Sequence, residues 1–221
     1  MEPTFEHPWD FSPKDAVLLQ QQLQDRVISE DRIGEIHTVA GIDVSYDAVR
    51  KEARGVVAVL SYPELHLQNY TSSRMASPFP YIPGLLSFRE IPPLVECFRK
   101  VHQPPDLILC DGHGLAHPRR FGLACHLGIL FDIPTIGVAK RLLIGVHETV
   151  PQVRGEWRPI LHEGQTIGAA LRSRPHTHPI YVSIGHRISL ETAIEWVVRC
   201  LTRFRLPETT RIAHQLSKAS K

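Results

Sequence analysis

Two short apolar runs constrain this chain most: Leu107-Ile108-Leu109-Cys110 and Pro134-Thr135-Ile136-Gly137-Val138-Ala139, separated by a stretch with helical patterning over 118–131. A strand with one wet face alternates apolar and polar residues; a strand that does not alternate is covered on both faces. Such strands belong to an α/β sheet with helices above and below. Upstream, three segments of β character, 37–46, 55–62 and 65–71, are joined by short turn-like stretches and predict an antiparallel meander.

The remaining elements fit around these. Ser12-Pro13-Lys14-Asp15 supplies an N-cap, a proline at the first helical position and an acid, and Ala16, Leu19, Leu23 and Val27 follow at helical spacing, which predicts a helix from 13 to about 28. Residues 85–101 read as helix, with Pro92 and Pro93 expected to break it or to open a second one. Short strands are predicted near 158–161, 166–171 and 180–184, then a helix capped by Ser189 with the stripe Leu190, Ala193, Ile194, Val197 and Leu201, and a last helix from Pro207. Three antiparallel strands followed by alternating helix and parallel strand is the order of a ribonuclease H-like mixed sheet with helices on both faces. At 221 residues the chain reads as a single domain, 1–221.

Composition excludes several classes. No run of about 18 apolar residues suggests a membrane span, and the N-terminus lacks the basic and apolar regions of a secretory signal, so a cytoplasmic location is expected. Cys97, Cys110, Cys125 and Cys200 lie far apart without a Cys-x-x-Cys pair, which favours buried free thiols. A formal charge of +2 permits nucleic-acid binding without arguing for it.

Chemistry concentrates in Asp111-Gly112-His113-Gly114-Leu115-Ala116-His117-Pro118-Arg119-Arg120-Phe121-Gly122. A carboxylate ends an apolar strand, and Arg119 and Arg120 would fall in the first turn of the next helix, where the dipole is already positive. An anion there would resolve the conflict, so a phosphate site beside a metal-binding acid is expected. An Asp-Gly turn is the plain alternative. Asp43 lies mid-strand among apolar neighbours and needs a cation or a donor, or a simple salt bridge. If the fourth strand lies beside the first, Asp43 and Asp111 meet at one end of the sheet, a pair of hard ligands suited to Mg²⁺ or Mn²⁺. Glu90 fits a capping box, Ser87-Phe88-Arg89-Glu90, as well as a site. Lys140 follows the fifth strand at the carboxyl edge, where sites on open sheets form, although exposed lysines are common. His214 shares the polar side of the last helix with Thr210, Arg211 and Lys218, which reads as a solvated face. The stretch Pro78-Phe79-Pro80-Tyr81-Ile82-Pro83-Gly84 would hold Tyr81 and Ile82 stiffly, as a wedge between bases or as a loop packed on the core.

These motifs, together with Ala40-Gly41-Ile42-Asp43-Val44-Ser45-Tyr46 and Gly137-Val138-Ala139-Lys140, resemble in order and register the endonuclease V family of deoxyinosine-specific DNA repair nucleases. The resemblance implies hydrolysis of the second phosphodiester 3′ to deoxyinosine, leaving 3′-hydroxyl and 5′-phosphate ends, with Mg²⁺ and acceptance of Mn²⁺. It implies metal binding by Asp43, Asp111 and Glu90, and a catalytic set completed by Lys140 and His214. It further implies DNA contacts from Pro80, Tyr81, Ile82, Pro83, Arg89, His117, Arg119 and Arg120. The base pocket would draw on Gly84, Leu85, Gly112, Gly122 and Gly137. The partner would be deoxyinosine DNA or inosine RNA, and the protein a monomer. Two other readings stay open at this point: a nucleic-acid binder without catalysis, and a zinc hydrolase built on Asp111, His113 and His117.

Overall fold

The computed structural model describes residues 1–77 and 79–219; Pro78, in the proline-rich stretch, lies outside the described residues. Chain order is α1 (Pro13–Leu23), β1 (Thr38–Asp47), β2 (Glu52–Ser61), β3 (Leu67–Ala76), α2 (Leu86–Arg99), β4 (Leu107–Cys110), α3 (Leu123–Phe131), β5 (Thr135–Ala139), β6 (Trp157–His162), β7 (Gln165–Leu171), β8 (Ile180–His186), α4 (Leu190–Arg199) and α5 (Glu208–Lys218). The strands form one sheet in the order β3-β2-β1-β4-β5-β8-β7-β6. The meander β1–β3 is antiparallel, and β4 and β5 run parallel to β1 as expected. Beyond β5 the sheet turns antiparallel again, because β6, β7 and β8 form a second meander that joins β5 through β8. The parallel part is therefore limited to β1, β4 and β5.

Alternation along β1 separates two cores. Ala40 and Ile42 pack with Ile91, Leu94, Leu123 and Leu127 under α2 and α3, while Val39 joins Ala193, Val197 and Ala213 under α4 and α5. On that second face Gly41 has no side chain for a reason. A Cβ there would lie 2.1 Å from the Thr209 carbonyl oxygen, so only glycine lets α5 settle on β1. Gly41→Ala is expected to cost about 3 kcal/mol or more, since backbone rather than a side-chain tip must move. It should also draw α5 away from the residues at the end of β1. Urea denaturation measures the first effect.

Several boundaries differ from the sequence reading. The first helix ends at Leu23 and passes through a tight turn, Gln24–Arg26, into extended backbone at Val27. Val27 still packs beside Leu23, so the apolar spacing is right although the backbone is no longer α-helical. Pro92 and Pro93 do not break α2. Each removes one N–H, directed at the carbonyl four residues back; the Arg89 carbonyl instead accepts from Ser77 Oγ at 3.4 Å. The helix expected over 118–131 starts only at Leu123. Arg120 has φ 51°, and the Gly122 and Ala124 amides donate to the Gly114 and His113 carbonyls. Arg119 and Arg120 thus lie in a turn before the helix, and these amides are spent inside the chain. The four cysteines are free and buried, and among the described residues no helix is long and apolar enough to cross a membrane.

Candidate active site

Register decides the site. Ile42 of β1 is paired with Cys110 of β4, so the next residues, Asp43 and Asp111, emerge side by side at the carboxyl edge. Cys110 is in turn paired with Gly137 of β5, which sets Lys140 just beyond the same edge. From the other face α5 brings His214 and Ser217. Ser217 Oγ donates to Asp43 Oδ2 at 2.5 Å, and His214 Nδ1 stands 3.3 Å from Asp43 Oδ1. The polar side of α5 is therefore only partly solvated: Lys218 is exposed, but Thr210 is 1% exposed, and His214 and Ser217 close over a buried acid.

Asp43, Asp111 and His214 each offer a ligand atom, and these atoms lie within 4.8 Å of one another. Asp43 is 8% exposed. Two carboxylates concentrated beside a helix and a sheet core repel unless a cation joins them. Two oxygens and an imidazole nitrogen, open on the remaining sides, fit a divalent ion that keeps waters and takes phosphate oxygens. Part of the charge is already met by Lys140, whose Nζ donates to Asp111 Oδ2 at 2.5 Å. Even so, burial raises the Asp111 pKa, with the Asp43 charge adding and Lys140 opposing.

Glu90 sits in the interior of α2, so the predicted capping box does not form; α2 starts at Leu86 without a side-chain cap, and Ser87 Oγ is engaged with His126 Nδ1 at 3.1 Å. Burial, then the charges of Asp111 and Asp43, push the Glu90 carboxyl up to about 8. It stands outside the three-ligand cluster but within its field. His113 and His117 do not join Asp111 in any metal-ligand group among the described residues, which removes the zinc alternative. Burial lowers both rings to about 4, and His117 Nε2 is 2.9 Å from the Gly84 carbonyl oxygen.

Beside Asp111 opens a pocket of about 310 Å³, walled by Ile82, Pro83, Gly84, Gly112, Gly122 and Leu123, with Tyr81 at its mouth. Tyr81 is 68% exposed, whereas Ile82 turns inward to pack near Phe79, Leu85 and Phe88. Two of the residues expected to line this pocket do not. Leu85 is 3% exposed within that cluster. Gly137 lies underneath, where a Cβ would come 2.5 Å from the Gly114 amide nitrogen, so it lets β5 support the pocket floor. Walls that local sequence patterns did not reveal include Gln20, Ser87, His113 and the Arg141-Leu142-Leu143 segment. Lys140 was a signal for the last of these, since the segment continues the same loop.

The basic residues are held by protein. Arg119 donates to Gln20 Oε1 at 2.6 Å and to the Gly84 carbonyl at 2.7 Å, clamping the Tyr81 loop to α1. Arg120 Nη2 lies 3.2 Å from His162 Nδ1. Arg89 lies over the Tyr46 ring at 3.7 Å. Each is therefore engaged by a protein contact, and that of Arg119 reaches the pocket walls Gln20 and Gly84.

This arrangement has known counterparts. The Endonuclease V family profile matches residues 21–215. Endonuclease V of Roseiflexus castenholzii is 49% identical over 217 residues, covering 98% of this chain and 97% of the relative. The crystal structure of Endonuclease V from Streptomyces avermitilis superposes with TM-score 0.91 at 38% identity, covering 96% of this chain and 94% of that one. Endonuclease V of Ciona intestinalis, solved in complex with a DNA 23mer containing an inosine followed by a ribo-adenosine, matches with TM-score 0.82 at 30% identity, covering 95% and 98%. With an ordered ribonuclease H-like sheet, an acidic pair at its edge and a family match along nearly the whole chain, this protein belongs to the endonuclease V family.

Proposed function

We propose that this protein is a DNA repair endonuclease that recognises deoxyinosine and hydrolyses the second phosphodiester 3′ to it, leaving 3′-hydroxyl and 5′-phosphate ends. The observation that carries the reading is the Asp43, Asp111 and His214 cluster opening beside a pocket that shares the Asp111-Gly112 turn. The Ciona relative's bound inosine DNA supports the choice of substrate.

Mg²⁺ or Mn²⁺ bound by Asp43 and Asp111, with His214 or Glu90, would neutralise phosphate charge and lower the pKa of a coordinated water. The chain's own groups do the rest. Ser217 pins Asp43 by its short hydrogen bond, fixing the direction of the free lone pairs. Lys140 spends one of its three donors on Asp111 and offers the others toward a phosphate oxygen or the attacking water. Glu90 holds its proton near neutral pH, and becomes an acceptor able to orient water as positive charge gathers at Asp43 and Asp111.

Hypoxanthine must leave the stack to enter the pocket, and its weak pairing lowers that cost. It presents an O6 acceptor and an N1–H donor and lacks the exocyclic amine of guanine, so close backbone at Gly84 and Gly112 can discriminate by hydrogen bonding. Tyr81, exposed at the mouth, is suited to fill the space the base vacates. Tyr81→Ala is expected to weaken binding of an inosine duplex about tenfold, while single-turnover nicking at saturation is largely kept. Fluorescence anisotropy on inosine and control duplexes checks this, and unchanged affinity would count against the wedge.

Inosine RNA is the second reading, favoured by the ribo-adenosine that follows inosine in the Ciona complex. Nicking matched inosine DNA and RNA strands with and without Mg²⁺, mapped to the nucleotide, tests substrate, cofactor and bond position together. Tight binding without a nick in any metal would leave a binding protein only.

A further inference from the structure

On the side of Asp43 away from the base pocket lies a second and larger cavity, about 980 Å³, which the roles assigned so far leave unused. It begins where the metal cluster ends. Ser217, bound to Asp43, is part of its wall, and Ser45 follows Asp43 by two residues on the same face of β1. From there the groove runs over the β1–β2 turn and the end of α5.

Its chemistry is that of a surface for single-stranded nucleic acid. Cross-strand register sets Ser45 opposite Arg54, and Arg54 opposite Arg74, in one row across three strands. Arg54 also donates to the Ser217 carbonyl at 3.2 Å, which places its guanidinium at the wall beside the end of α5. Arg50 and Lys218 add charge at the rim, and both are exposed. The acids of the lining are Asp47 and Glu52; Asp47 accepts from the Val49 and Arg50 amides at 2.9 and 3.0 Å and faces the Arg50 and Arg74 charges, so the four cations of the lining outnumber its two acids. Tyr46 completes the lining, 42% exposed, with one side of its ring covered by Arg89. An aromatic face within a basic groove is how proteins hold unpaired strands without reading sequence.

We infer that this groove carries the nucleotides 3′ to the scissile bond, with Arg50, Arg54, Arg74 and Lys218 on phosphates and Tyr46 as a stacking platform for one base. The inference rests on the proposed cleavage 3′ to inosine. With the base anchored at Gly112 and hydrolysis at the adjacent cluster, a strand running 5′ to 3′ leaves the cluster on the Asp43 side. The groove is the cavity found there.

The test uses inosine single strands with one or about eight nucleotides beyond the scissile bond, and compares wild type with Arg50→Glu/Lys218→Glu and with Tyr46→Ala. For wild type the longer strand should bind about tenfold tighter, with a steeper salt dependence. The charge-reversal variant should lose that gain and flatten the salt slope, while cleaving the short strand like wild type. Tyr46→Ala should lose part of the gain without changing the slope. Equal affinity of wild type for both lengths, or an equal loss on both lengths in the variants, overturns the inference. Failure of the functional reading is distinct, since then no inosine strand of either length is cut.

Discussion

Alanine at Asp43 or Asp111 is expected to reduce inosine-directed nicking by about a thousandfold or more, since a metal at a phosphoryl centre contributes several kcal/mol of transition-state stabilisation. The two changes leave different debris. Asp111→Ala frees the Lys140 ammonium and removes one of the charges that raise Glu90. Asp43→Ala removes the carboxylate on which Ser217 and the His214 ring now close, and leaves the Ser217 hydroxyl only the His214 carbonyl as acceptor, at 3.0 Å. Neither change touches the pocket walls or the Tyr81 loop, so binding of an inosine duplex should survive within about tenfold. Asp43→Asn separates charge from shape: it keeps an acceptor for Ser217 and should still lose nearly all cleavage. Single-turnover nicking measures the first effect, a gel shift the second, and Mn²⁺ titration calorimetry the loss of the cation. Wild-type nicking in either alanine variant would remove Asp43 and Asp111 from the catalytic site.

The part of this site that sequence made legible is the part built by local rules. Strand runs without alternation placed β4 and β5, and a carboxylate at the end of such a run is anomalous enough to mark Asp111. Asp43 was visible because a charge in the middle of β1 lacks an apolar rationale. Where tertiary contacts override local preference, local sequence patterns mislead. The 118–122 stretch has helical composition, yet the Gly114 and His113 carbonyls capture the amides that a first turn would use. Two adjacent prolines predict a break, but α2 lies against β2 so closely that a Cβ on Gly55 would come 2.9 Å from the Pro93 carbonyl carbon, and packing keeps the helix whole. His214 shows the limit of amphipathic patterning. A polar helix face reads as solvent-facing, but it serves equally to close over a buried acid from another strand. Gly84, Gly112 and Gly122 line the pocket as expected, while its other walls are illegible for a simpler reason: Gln20, Ser87, His113 and Leu142 meet only through the fold.

Stability should follow an asymmetric course with pH, level or rising slightly from pH 8 to about 6.5 and then falling steeply toward pH 4. His113 and His117 are lowered by burial from 6.5 to about 4. Burial also lowers His126, 0% exposed with its Nε2 2.7 Å from His7 Nε2, well below its ordinary value, and lowers His7 and His186. Between the two pKa values the unfolded chain binds protons that the native chain refuses, so each ring's contribution is complete above 6.5 and is lost as pH falls. For His113 and His117 that loss is about 3 kcal/mol apiece at pH 4. Glu90 acts in the opposite sense. Its native pKa is raised from 4.5 to about 8, so the native state takes the proton first and gains stability as pH falls from 8 to 4.5. That gain offsets roughly one histidine, which accounts for the upper plateau, and the remaining rings govern the acid limb. A combined loss of several kcal/mol rivals the whole stability of an ordinary domain, about 5–15 kcal/mol. Urea denaturation at pH 8, 6.5 and 4.5 in chelator follows the profile. Glu90→Gln should abolish the plateau's offset and leave the acid limb, whereas equal stability of wild type at pH 6.5 and 4.5 would show that the buried rings titrate freely in the native state.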